Sequence, residues 1–212
     1  LAARDLFPVF GYLWNKGRCR YCRTKVPLRY PLLEAVTGIV FAFMTWQLGL
    51  DGELAVGLLL SSILIVCTVT DLRERLIPNA VVLTGAVLLL VVRLFVHPKP
   101  IWNYGLALFI GGGLLLLAAW LGYLLMRKEG MGGGDIKLFA VIGLALGAGP
   151  VLLAVFLSAL FGLAGSILLS LLNRNRPGGE IPFAPYIAAA AFISYLWGDR
   201  LIGMYFDMIG LS

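Results

Sequence analysis

Residues 54–71 read LAVGLLLSSILIVCTVTD, seventeen residues without a charge closed by the carboxylate of Asp71. A helix needs about 20 mostly apolar residues to cross the hydrocarbon of a bilayer. A run this long either spans a membrane or fills the core of a large soluble domain, and composition decides between them. The chain has 212 residues, of which 60% are hydrophobic and only 13% charged. Its mean hydropathy is +0.94. Soluble domains carry about 25% charged residues, so this chain has too little polar surface to cover such a core. The composition points to an all-α polytopic membrane protein.

Working outward from that run, apolar segments recur at 33–50, 79–96, 102–126, 138–148, 151–172 and 183–198. They are separated by turn- and charge-rich breaks: LDGE, DLRERLIPN, HPKP, RKEGMGGGDIK, GAGP and NRNRPGGEIP. Seven transmembrane helices are expected. The 138–148 segment is short for a crossing and needs either residues from the glycine stretch before it or a buried setting. If each segment crosses once, fourteen of the seventeen Lys and Arg fall on the side of residues 1–32, and three (Arg93, Lys99 and Arg200) on the other. Lys and Arg concentrate in cytoplasmic loops, which makes the first side cytoplasmic. The +6 net charge then follows from topology and does not call for nucleic acid. The expected organisation is a cytoplasmic basic segment over 1–32 and a membrane domain over 33–212.

Among the eleven acids, Asp5, Asp51, Glu53, Asp199 and Asp207 read as solvated charges in loops or near the termini. Glu34 reads as a helix cap or surface residue, and Glu74 and Glu129 as partners in screened ion pairs with neighbouring cations. Asp71 and Asp135 stand apart. Each lies where a membrane segment meets the cytoplasmic side, and ionisable groups at membrane depth are costly enough to imply a function. Two carboxylates that share a proton can act as base and acid: one activates water, the other protonates the leaving group. The competing chemistries lack their residues. The single histidine, His97, falls on the opposite side, which leaves a Ser or Cys nucleophile without its base. There is no HExxH for a catalytic zinc, no Lys-Ser or Lys-Thr after the glycines for a phosphate loop, and no strand before them for a dinucleotide fold.

Four glycines occupy five positions before Asp135, in EGMGGGDIKLF (Glu129–Phe139). They read either as a flexible interhelical loop or as an entrance. At an entrance, Gly132, Gly133 and Gly134 would let an extended substrate approach the carboxylate. Lys137 reads either as a substrate-positioning charge or as one of the cytoplasmic cations. Pro78, Pro182 and Pro185 are expected to set helix boundaries.

These residues resemble a known family. GGGDIKLF (Gly132–Phe139) matches the GxGD pattern of membrane aspartic proteases, in the G-x-G-D-x-K-L form of the type IV prepilin peptidases. DLRERLIPN (Asp71–Asn79) is similar to the stretch with that family's first catalytic aspartate, and EIPFAPYIAAAA (Glu180–Ala191) to its late Ile-Pro-Phe segment. GRCRYCRTKVPLRYPLLEAVTG (Gly17–Gly38) is similar to its cytoplasmic cysteine region. The resemblance covers nearly the whole chain. It implies a GxGD-type endopeptidase that removes the leader of type IV prepilins or type II secretion pseudopilins, with Asp71 and Asp135 as the catalytic pair. The substrate and the lipid bilayer are its partners, the enzyme lies in the bacterial inner membrane with its site on the cytoplasmic side, and peptide cleavage needs no cofactor. The alternative from another class is an ion- or proton-coupled transporter using the same aspartates. The chain shows no inverted repeat to support it.

The family's cysteine region often carries two C-x2-C pairs, and here Cys19 and Cys22 form one. A structural zinc takes four ligands, so this pair is half a zinc site. ARDLFPVFGYLWNKG resembles the linker between two pairs, and the chain begins at Leu1 rather than Met, so a first pair is expected upstream. The family's second activity, N-methylation of the new N-terminus with S-adenosylmethionine, belongs to that region and is expected only of the full-length form. Cys67 reads as a small buried hydrophobe.

Overall fold

The structure, a computed structural model, describes residues 7–127, 132–172 and 182–210. The chain folds as two units, Leu1–Leu50 and Asp51–Ser212. Glu129, the arginines at 174 and 176 and the start of the segment Glu180–Ala191 lie outside the described residues.

The first unit holds a one-turn helix, α1 (Phe10–Trp14), and a long helix, α2 (Arg29–Leu48). Between them the C-x2-C stretch forms a small hairpin. Arg18 and Lys25 make an antiparallel bridge, the Val26 amide donates to the Gly17 carbonyl at 2.9 Å, and the Cys19 amide donates to the Thr24 carbonyl at 2.8 Å. Glu34, expected as a cap of the first apolar helix or a surface residue, does not cap α2; its carboxylate instead accepts from the Val9 amide, just before α1, at 2.8 Å.

Among the described residues the second unit holds six helices: α3 (Gly52–Glu74), α4 (Asn79–Phe95), α5 (Ile101–Met126), α6 (Gly133–Leu146), α7 (Ala148–Leu171) and α8 (Ala184–Met208). With α2 they match the seven expected segments. Among the described residues four helices (α2, α3, α5 and α7) are long and apolar enough to cross a membrane, and α4 is a shorter apolar helix. The outward faces of α4, α5 and α7 expose Leu88, Leu90, Leu116, Leu117, Phe156 and Leu163. Such a surface suits lipid, where every backbone group must be satisfied within its own helix.

Helix α6 occupies the centre and packs against α3, α4, α5, α7 and α8. This explains how a segment too short to span alone is stable. It borrows Gly133 to Lys137 from the glycine stretch, and every residue from Val141 to Leu146 is buried. Its fit against α5 depends on missing side chains. A Cβ at Gly111 would lie 2.4 Å from the Phe139 carbonyl oxygen, and one at Gly143 2.1 Å from that of Ala107. Small residues let helix backbones approach where lipid supplies no hydrophobic drive. The turn into α7 passes through Gly147 at φ +85°, where the Asn103 side chain would block a Cβ at 2.6 Å. Asn103 Oδ1 instead accepts from the Ala148 amide at 3.0 Å. The prolines act as expected: Pro78 caps α4, and Pro185 stands in the first turn of α8.

Candidate active site

Asp71 lies in the last turn of α3, which Arg75 closes in the left-handed conformation at φ 54°. An acid there faces the negative end of its own helix and has to find a donor elsewhere. It finds the start of α8: the Ala184 amide donates to Asp71 Oδ2 at 2.9 Å. That amide is one of the orphan N–H groups of a helix N-terminus, so the bond satisfies both partners, and Asp71 is 8% exposed. Asp135 occupies the first turn of α6, where acids are favoured. Its carboxylate is half-buried and within electrostatic reach of Asp71. The two aspartates therefore belong to one end of the second unit, joined by α3, α6 and the start of α8.

The linker between α3 and α4 fastens α6 to this arrangement. A Cβ on Gly134 would lie 2.8 Å from the Cβ of Ile77, so the third glycine of GGGD is where that linker presses on α6. One turn further, Lys137 Nζ donates to Asn79 Oδ1 at 2.9 Å. Lys137 thus has a structural partner of its own, which neither sequence reading of it included. Gly132 caps α6 at φ −68°, and neither it nor the two glycines after it uses a positive φ. Gly132 and Gly133 are exposed, and a Cβ on Gly133 would meet nothing within 4 Å. Close approach, at Gly134, is what the stretch provides in the described residues, not unusual backbone angles.

The opposite end corrects one expectation. Glu53 is not a solvated loop charge, and Arg93, counted among the cations of that side, is buried. Arg93 is 3% exposed and ion-paired with Glu53. Its guanidinium also donates to the carbonyls of Val96, at 3.1 Å, and Ala145. Its Cζ sits 4.3 Å from the centroid of the Tyr104 ring, and the Tyr195 hydroxyl lies 2.7 Å from the Glu53 carbonyl oxygen and 2.9 Å from its Oε2. The signal in the sequence was Arg93 itself, a cation inside an apolar segment, which ought to have prompted a search for its partner. Asp51 caps α3 by accepting from the Gly52 amide at 2.6 Å. Asp199 remains largely solvated while pairing with Lys99 at 2.6 Å.

In the first unit Cys19 and Cys22 are free thiols in the hairpin. A hydrogen bond from the Thr24 side chain, helped by the Thr24 backbone and the Cys19 side chain, lowers the Cys22 thiol to about 7. Thiolates are the metal-binding form, but two are half of what a structural zinc takes. Among the described residues no group of three or more His, Cys, Asp or Glu could hold a metal. The pair does not by itself make a zinc site. Cys67 is fully buried, as expected.

Comparison with known proteins matches the chain to one lineage. A family model described as the type IV leader peptidase family matches residues 58–167, and one described as the bacterial peptidase A24 N-terminal domain matches residues 1–48. A prepilin leader peptidase/N-methyltransferase of Bacillus subtilis is 37% identical over 98% of this chain and 82% of its own length. Proteins of the same name from Pseudomonas putida and Aeromonas salmonicida are each 34% identical over 99% of this chain, and over 73% and 72% of their own lengths. No solved structure matches the chain.

Proposed function

This chain belongs to the type IV leader peptidase family, and on that premise we propose that it removes the leader of type IV prepilins or type II secretion pseudopilins with water activated between Asp71 and Asp135. It is a multi-pass membrane peptidase, and the transporter alternative falls with that assignment. The observation that carries the mechanism is the junction of three helices around the two carboxylates. Asp71 is oriented through Oδ2 by the Ala184 amide, and Asp135 lies in the first turn of α6, held to the same junction by the Ile77–Gly134 and Lys137–Asn79 contacts.

Two carboxyl groups in electrostatic reach can divide the chemistry of peptide hydrolysis. One takes a proton from the attacking water. The other donates a proton to the amine that leaves as the C–N bond breaks. Gly132 and Gly133 border Asp135 on an exposed edge and offer backbone and space to an extended leader segment. On this reading residues 1–32 form a cytoplasmic basic segment, and the Lys and Arg asymmetry supports a cytoplasmic position for the aspartate end, in a bacterial inner membrane. The relatives' names also carry an N-methyltransferase, which would draw on S-adenosylmethionine; that activity is not part of the function proposed for this chain.

Leader cleavage by the purified protein, reconstituted in lipid with a prepilin substrate, is the direct test. Asp71→Asn and Asp135→Asn should each abolish cleavage while leaving insertion and yield intact. Cleavage at near wild-type rate by either variant would remove that residue from the mechanism.

A further inference from the structure

The cluster around Arg93 and the aspartate junction lie at opposite ends of α3 and α6, and at the middle and the start of α8. Glu53 and Asp71 are eighteen residues apart on α3, roughly 27 Å at the rise of an α-helix. The Ala145 carbonyl, an acceptor for Arg93, is ten residues beyond Asp135 on α6. Tyr195, bonded to Glu53, is eleven residues beyond Ala184 on α8. At one end the Ala184 amide bonds Asp71, and Asp135 lies within electrostatic reach of that carboxylate. At the other, Glu53, the Ala145 carbonyl and Tyr195 are gathered by one buried guanidinium or by the carboxylate it pairs with.

We propose that Glu53, Arg93 and Tyr195 are positioning residues for the aspartate pair: they set the axial register of α3, α6 and α8 and thereby the spacing of Asp71 and Asp135. This rests on the peptidase mechanism proposed above. Apolar helix faces in lipid hold one another by shape and slide at little cost, because there is no hydrophobic drive between them. A buried fork of directed hydrogen bonds tolerates far less sliding. A slip of one residue moves a helix by about 1.5 Å, and a displacement of about 1 Å at a reacting group can cost a hundredfold in rate. The arrangement is expensive to keep, since an unpaired arginine among membrane helices is strongly unfavourable. Its contacts offset much of that cost: Glu53 takes one side of the fork, the carbonyls of Val96 and Ala145 take further donors, and Tyr104 covers the face, while Nε stays buried without a hydrogen-bond partner among the described residues. The Ala145 carbonyl belongs to the last turn of α6, where acceptors lack helical partners and a cation is favoured.

Two conservative variants test this in the full chain reconstituted in lipid. Tyr195→Phe removes only the hydroxyl on Glu53; Arg93→Lys keeps the charge and loses the fork. Each should lower kcat for prepilin leader cleavage by about tenfold or more with KM changed less than about twofold. Each should also displace the acidic limb of the kcat–pH profile, because the interaction between the two carboxyl groups depends on their separation. The double variant should lose less than the product of the single losses. Wild-type kcat and pH profile per folded molecule in both variants, even with lowered thermal stability, would assign the cluster to folding alone and overturn the proposal. Asp71→Asn and Asp135→Asn run in parallel separate the two levels. If both are inactive while the Arg93 and Tyr195 variants behave as wild type, only the positioning role falls. If either still cleaves, the aspartate mechanism fails and takes the positioning role with it.

Discussion

Asp71 Oδ2 accepts a hydrogen bond from the amide of Ala184, a residue 113 positions later in the chain. The bond ties the last turn of one helix to the first turn of another, and it makes Asp71→Asn an informative substitution. An asparagine side-chain oxygen accepts from an amide much as a carboxylate does, and asparagine is among the best residues at helix N-termini. The junction should therefore survive while proton transfer is lost. The expected result is unchanged yield and detergent stability with a fall in leader cleavage of at least about a hundredfold, the scale of acid–base catalysis by one group. Asp71→Ala should in addition lower stability by about 1–3 kcal/mol, because it strands the buried Ala184 donor. A thermal unfolding midpoint for the Ala variant equal to that of the Asn variant would contradict this account of the bond.

The two glycines next to Asp135 should respond oppositely to alanine. Gly134 faces Ile77, so a methyl group there must push the linker and α6 apart. Overpacking of this kind costs about 1–3 kcal/mol, and Ile77→Ala should relieve it in the double variant. Gly133 has open space around its Cβ position, and as a helical residue it should gain slightly in stability from alanine. If the exposed glycines receive the leader, Gly133→Ala raises KM without touching stability. An unchanged KM at Gly133 would leave the stretch with a packing role only.

Lys137 and Asn79 form a pair at 2.9 Å, and a double-mutant cycle separates their two readings. If Lys137 serves to fasten α6 to the linker, Lys137→Met and Asn79→Ala should reduce kcat by similar factors, and together by little more than either alone. If it contacts substrate, Lys137→Met should raise KM well beyond the effect of Asn79→Ala. Independent effects that multiply in the cycle would sink the fastening role.

The helices were legible because each is a long apolar run ended by Pro, Gly or charge, and helix formation inside lipid leaves a chain few other choices. The aspartates were legible for a related reason: a carboxylate that closes the run Leu54–Thr70 is conspicuous, and counting crossings puts it on the side of Asp135. What binds them together was not legible. The partner of Asp71 is a backbone amide, which has no sequence signature of its own; only the prolines beside Ala184 hinted that a helix begins there. Glu53 and Arg93 are forty residues apart and stand near helix ends, where isolated charges resemble loop charges. Their pairing follows from the tertiary arrangement of α3 and α4. At Gly134 an absent side chain, which shows as flexibility in a sequence, is a contact with Ile77 in the fold.

The cysteine hairpin makes a pH-dependent prediction that can be read without any catalytic assay. The Thr24 side chain is the main cause that lowers the Cys22 thiol to about 7 from an ordinary value of 9.0, and the unfolded chain lacks that hydrogen bond. A group whose folded value is depressed adds stability that is complete above its unfolded value and disappears as pH falls through the folded one. The hairpin should thus hold its thiolate most firmly above about pH 9 and lose this contribution as the pH drops through about 7. Because the thiolate is the nucleophile, the alkylation rate of Cys22, followed by peptide mass spectrometry to separate it from Cys19, should be half-maximal near pH 7. Thr24→Val should move that midpoint upward toward the ordinary thiol range and slow the reaction at neutral pH. Thr24→Ser, which keeps the hydroxyl, should move it much less. A midpoint near pH 9 in the wild type, or one that Thr24→Val leaves in place, would show that Thr24 does not tune this sulfur.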